Sequence, residues 1–118
     1  MPEVVFFADQ DGTAPALEWL DGLPAKVRDK FIVRIERLAE CWSQLRRPEA
    51  DVLRDGIYEL RVRHMRVNYR MLYFFHGGLA VLSHGLTKTD KVPEADIDRA
   101  IRRREAFVRE PEGHTHTE

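Results

Sequence analysis

The sequence contains a single cysteine, Cys41, so no disulfide can form within the chain. Its Met-Pro-Glu start has neither the basic region nor the apolar region of a signal peptide. The longest apolar runs are about five residues, whereas a membrane-spanning helix needs roughly 18 to 20. We therefore predict a cytoplasmic protein with no membrane partner.

Motifs that bind common cofactors and metals are also missing. The chain has no Gly-rich phosphate loop, no CxxC pair and no HExxH sequence. Their absence excludes the nucleotide-binding and zinc enzymes that carry them, and we expect no cofactor and no metal ion. The formal net charge of −1 also excludes a uniformly basic nucleic-acid-binding protein.

The length of 118 residues, 43% of them hydrophobic, suits one domain with a core and is too short for two ordinary domains. We place this domain at 1–109. The remaining segment, 110–118, contains Pro111, Gly113 and alternating His and Thr. Because it has nothing to bury, we predict a disordered tail.

Hydrophobic periodicity predicts an α+β fold. A β-rich run at 4–8 predicts an N-terminal strand. A helical hairpin over 14–46 follows, because apolar residues in its second helix recur every three or four positions. Near the other end, Pro93 opens a C-terminal helix.

Between these helices the period changes to about two. The pattern predicts a three-stranded antiparallel meander, in which Gly77-Gly78 forms a tight turn between the last two strands. The strands are predicted at 57–64, 67–76 and 79–88. We expect the helices to cover one face of this sheet and to leave the other face open.

The meander also carries the excess of positive charge. Residues 57–91 contain 6 Lys and Arg against 2 Asp and Glu, inside a nearly neutral chain. Strand alternation places one set of basic side chains on a common face. The members of this set are Arg61, Arg63, Arg70, His84 and Lys88.

Such a set has the composition expected for binding and cleaving a phosphodiester. Arginine matches two phosphate oxygens, lysine supplies a point charge, and histidine carries protons near neutral pH. Alternating arginines on an antiparallel sheet are also typical of a solvated face. His84 is equally compatible with a hydrogen-bonded structural role.

Four short motifs carry a family resemblance. The combination and spacing of these motifs resemble those of the RelE/ParE toxin superfamily. The resemblance is to the phage-derived, HigB-like branch and extends over residues 3–108. The motifs are Tyr58-Glu59-Leu60-Arg61, Asn68-Tyr69-Arg70-Met71-Leu72-Tyr73, His84-Gly85-Leu86-Thr87-Lys88 and Lys91-Val92-Pro93.

The resemblance implies a RelE-like fold and the toxin of a type II toxin-antitoxin system. Such a toxin is a metal-independent endoribonuclease that cleaves mRNA, often at the ribosome. It also implies a partner, a DNA-binding helix-turn-helix antitoxin that neutralises the toxin.

In this family, basic residues on the middle strands bind phosphate and assist cleavage. Some relatives also use a tyrosine near the C-terminus, but this chain has none after Tyr73. Relatives that lack the nuclease residues inhibit DNA gyrase, so a gyrase inhibitor and an inactive binding module remain alternatives. The resemblance implies catalytic roles for Arg61, Arg70, His84 and Lys88, and RNA contacts for Arg63 and Lys91.

Overall fold

The computed structural model describes residues 3–88 and 90–117, with the side chain of Lys88 outside the described part. No helix within these ranges is long and apolar enough to cross a membrane. Short 3-10 turns lie at Trp42–Gln44 and Glu112–His114. The main elements are β1 (Glu3–Phe6), α1 (Pro15–Asp21), α2 (Ala25–Cys41), β2 (Ala50–Val52), β3 (Tyr58–His64), β4 (Val67–His76), β5 (Leu79–Lys88) and α3 (Glu94–Arg109).

The strands form one five-stranded mixed sheet in the order β1-β5-β4-β3-β2. The predicted α+β class and the antiparallel meander β3-β4-β5 are confirmed. Strand β1 pairs in parallel with β5, at one edge of the sheet. Strand β2, which pairs with β3, was not predicted, because three residues are too few to show an alternating pattern.

Helices α1 and α2 pack on one face of the sheet. The apolar stripe of α2 buries Val27, Phe31 and Leu38 completely, in one cluster with residues of β3 and β4. Gly85 lets α1 approach β5, because a Cβ at that position would overlap the ring of Trp19. The helical hairpin therefore packs directly against the meander.

The opposite face is not left open as expected. Helix α3 buries Ile97, Ala100 and Phe107 in a second core cluster that includes Phe74 and Val81 on that face. The expectation failed because these helix residues form an apolar stripe of their own, which requires a sheet face to cover it. The part of this face near Arg61 and Arg70 borders two cavities.

The predicted disorder of the tail is also corrected. The imidazole of His114 is buried, lies stacked on Phe7 with ring centroids 5.1 Å apart, and has its Nδ1 2.8 Å from the Ala8 carbonyl oxygen. Backbone bonds join Ala8 N to the His114 oxygen at 2.8 Å and His116 N to the Phe6 oxygen at 2.9 Å. The tail is held because β1 is an edge strand whose free backbone groups accept a further partner. Composition alone does not reveal such pairing.

Candidate functional site

A pair of arginines forms the centre of the candidate site. The register of β3 and β4 places Arg61 directly opposite Arg70. Like charges at such positions repel one another. Glu59 lies between them: Arg61 Nη1 donates to its Oε2 at 2.8 Å, and Arg70 Nε is 3.1 Å from its Oε1. The carboxylate thus offsets the repulsion between the two guanidinium groups.

The arginine pair opens into a cavity of about 390 Å³, which we call the arginine cleft. Helix α2, the loop before β2, and strands β3 and β4 all contribute to its walls. No carboxylate lines the cleft among the described residues, and Asn68 adds an amide. Its five basic side chains are Arg34, Arg47, Arg61, Arg63 and Arg70.

Two of these arginines come from outside the meander and were not predicted from the sequence. Arg34 of α2 donates through Nε to the Arg61 carbonyl oxygen at 3.0 Å. Arg47, which precedes β2, donates through Nε to Asp51 at 2.7 Å. In the sequence, Arg34 is only a basic residue on the polar side of a helix, and Arg47 is only a basic residue in a loop. Neither position is distinctive before the elements are packed.

A second cavity, of about 530 Å³, adjoins the arginine cleft and shares four lining residues with it, including both members of the arginine pair. It holds the predicted residue Lys91, but Asp90 and Glu94 also line it. Arg54 in this cavity forms ion pairs with Asp55, Glu94 and Asp98, and the hydrogen bond to Asp98, followed by those to the other two, raises its pKa. The charges of this cavity are therefore mixed, and a polyanion is favoured more strongly by the arginine cleft.

Arg70 is the most deeply placed cation of the cleft. It is 7% exposed, and its pKa is lowered by burial, an effect that Glu59 partly offsets. A guanidinium stays protonated in proteins. A charge with so little access to water interacts more strongly with an arriving anion than an exposed charge does.

His84 does not join this cluster. Its Nε2 is 3.1 Å from Asp96 of α3, and its Nδ1 is 2.8 Å from the hydroxyl of Ser83. A carboxylate only accepts, so Nε2 carries the proton and Nδ1 accepts from the hydroxyl. His84 is 5% exposed and lines neither the arginine cleft nor the adjoining cavity. Its contacts tie β5 to α3.

The structure therefore brings together three of the predicted residues, Arg61, Arg63 and Arg70, with Lys91 in the adjoining cavity. The backbone of Lys88 lies opposite Asn68, which lies opposite Arg63. The prediction for the Lys88 side chain falls outside the described residues.

The environment of His84 predicts a loss of stability in acid. Burial, followed by the charge of Arg103, lowers the pKa of His84 to about 4, against the opposing effect of Asp96. In the unfolded chain the pKa of His84 is near 6.5. Between about pH 6.5 and 4 the unfolded chain therefore binds a proton on His84 that the folded protein does not bind. The resulting stabilisation, about 3 kcal/mol, is complete above roughly pH 6.5 and is lost as pH falls through about 4.

Urea unfolding at several pH values between about 4 and 7 measures this effect. The His84→Gln variant, which cannot titrate there, is expected to show a shallower decline of unfolding free energy with falling pH. Identical slopes in the two proteins would contradict the burial of a neutral imidazole.

A larger cavity, of about 730 Å³, lies elsewhere, between α3, the loop after β1 and the C-terminal tail. Arg99, Arg102 and Arg103 line it together with Asp9 and Asp11. Although larger, it mixes both charges, so we assign the candidate site to the arginine cleft. Among the described residues, no group of three or more His, Cys, Asp or Glu side chains is arranged to hold a metal ion.

Fold and site together define a small α+β protein with a cleft lined by five arginines. Residues 18–105 match the model of the family described as phage-derived protein Gp49-like (DUF891), and the chain belongs to this family. The family is a RelE-like toxin family of toxin-antitoxin systems. A search of curated proteins gives no match.

Proposed function

We propose that the protein is the toxin of a type II toxin-antitoxin system and cleaves mRNA at the arginine cleft. The observation that carries the proposal is the gathering of five arginines around one cavity whose described lining holds no carboxylate. A chain of phosphates is the biological ligand that such a cleft suits best. Membership of the Gp49-like family is consistent with a toxin.

The proposed reaction is attack of an RNA 2′-hydroxyl on the adjacent phosphate, with the 5′-oxygen as leaving group. The hydroxyl proton passes to water and the 5′-oxygen takes a proton from water, which leaves a 2′,3′-cyclic phosphate end and a 5′-hydroxyl end. Negative charge grows on the phosphate oxygens as the bond forms, and prealigned cations lower the barrier. We assign this role to Arg61 and Arg70, which lie side by side at the base of the cleft. The remaining cleft arginines hold neighbouring phosphates, as do Lys88 and Lys91.

His84 receives no proton-transfer step in this proposal. Both of its ring nitrogens already have hydrogen-bonding partners, and its lowered pKa of about 4 leaves it neutral at physiological pH. The proposal therefore rests on charge stabilisation by guanidinium groups. His84 contributes by holding β5 against α3.

The same proposal covers the partner and the location. A DNA-binding helix-turn-helix antitoxin would neutralise the toxin by covering the arginine cleft with acidic or apolar side chains. The proposal also includes the HigB-like branch of the superfamily and a cytoplasmic location. It covers cleavage of messages both on the ribosome and free of it.

Mapping of mRNA ends by primer extension after induction tests this function. We expect new ends inside translated messages within minutes of induction, and none when the antitoxin is produced together with the protein. Purified protein should also cut a labelled RNA. DNA damage with intact messages would instead identify a gyrase inhibitor, and unchanged messages and DNA would identify a binding module.

A further inference from the structure

Glu59 is a buried acid placed at the centre of a basic site. It is 3% exposed and contacts both Arg61 and Arg70. Strand alternation explains its direction, because residues 59 and 61 of β3 point to the same face. Nothing in the reaction proposed above uses this carboxylate, although an acid among phosphate-binding cations weakens the attraction for RNA.

We infer that Glu59 is a positioning residue, an internal counter-ion that keeps Arg61 and Arg70 aligned for one phosphate. The inference rests on the proposed function of the arginine cleft. Without the carboxylate, two facing guanidinium groups repel one another and turn toward separate partners. With it, both cations stay together before RNA arrives.

The contact with Arg70 is suited to such a role. Arg70 Nε lies 3.1 Å from Glu59 Oε1, yet this oxygen has no hydrogen bond of good geometry within the described part of the chain. Arg70 instead donates through Nη1 to the Tyr69 carbonyl oxygen at 3.2 Å. The guanidinium is therefore held beside the acid mainly by attraction between opposite charges.

A purely structural ion pair predicts a different outcome. Loss of such a pair lowers stability and weakens binding and cleavage together. Loss of a positioning counter-ion makes the cleft more positive, so RNA binds as well or better, while poorly aligned arginines stabilise the transition state less. Binding and turnover therefore separate only in the second case.

The test compares Glu59→Gln with Glu49→Gln. The Glu49 side chain pairs with Arg37 through two hydrogen bonds and lines neither cavity of the site. Its replacement by Gln removes one negative charge and keeps the backbone bond from Arg61 N to the Glu49 oxygen at 2.8 Å. For Glu59→Gln we expect kcat on a short RNA to fall by about tenfold or more, with KM unchanged or lower. Affinity for an uncleavable RNA, with a 2′-deoxyribose at the cut site, should rise by about two- to fivefold at low salt. Glu59→Asp should recover part of kcat, and Glu49→Gln should keep the parent values.

Three kinetic results would overturn the inference: an unchanged kcat, a parallel loss of binding and turnover in the folded Glu59→Gln variant, or an equal effect of Glu49→Gln. The arginine side-chain NMR signals give a readout that does not depend on RNA cleavage. The groups that face Glu59 are Nη1 of Arg61 and Nε of Arg70. In the parent, the N–H signals of these two groups should be sharp, and Glu59→Gln should broaden both. Sharp signals in the variant would contradict positioning. A parent that aligns its arginines but cuts no RNA would instead contradict the proposed function.

Discussion

Replacement of Arg70 by alanine is expected to slow RNA cleavage by about a hundredfold, which corresponds to roughly 3 kcal/mol of lost transition-state stabilisation. Arg70 is the cleft cation with the least access to water, and it faces Arg61 across the two strands. Single-turnover cleavage of a short RNA measures the effect, and growth after induction measures it in cells. Arg70→Lys should recover only part of the activity, because an ammonium group cannot contact two phosphate oxygens in one plane.

The alanine variant also leaves Glu59 with one ion pair fewer, so its fold must be checked by thermal unfolding before rates are compared. Lys26→Ala is the matched control, since Lys26 is exposed on α2 and lines neither cavity of the site. Arg61→Ala and Lys88→Ala should also relieve toxicity. If all three site variants stay as toxic as Lys26→Ala, the arginines are a solvated surface and the nuclease proposal fails.

Local periodicity is the reason that much of the fold could be predicted. In a helix such as α2, or a strand pair such as β4 and β5, the residues of the buried face recur at a regular spacing in the sequence. Strand β2 and the tail contribute mainly backbone pairing, which leaves no pattern of side chains. The placement of α3 was mistaken because a helix stripe shows that a face is buried without showing which sheet face covers it.

The candidate site also combines residues that a local pattern predicts with residues that only tertiary packing brings in. Alternation within β3 and β4 predicted that Arg61 and Arg70 share a face, and the register confirms this. Arg34 and Arg47 join them only through tertiary packing of α2 and the following loop, which no local pattern reports. Alternation also predicted that His84 belongs to the site. Helix α3 covers His84 through its contact with Asp96, and the histidine does not line the cleft.

Replacement of Phe31 by alanine is expected to lower the free energy of unfolding by about 3 to 5 kcal/mol, because it removes a large apolar side chain and leaves a cavity. Phe31 is fully buried between the helical hairpin and the sheet, and its ring meets that of Trp19 edge to face at 5.4 Å. Ile32→Ala, one residue along the same helix and 44% exposed in the parent, serves as control and should cost less than about 1 kcal/mol. Urea unfolding of both variants provides the comparison. A cost below about 1 kcal/mol for Phe31→Ala would show that α2 does not pack on the meander through this residue, and the placement of Arg34 in the arginine cleft would lose its basis.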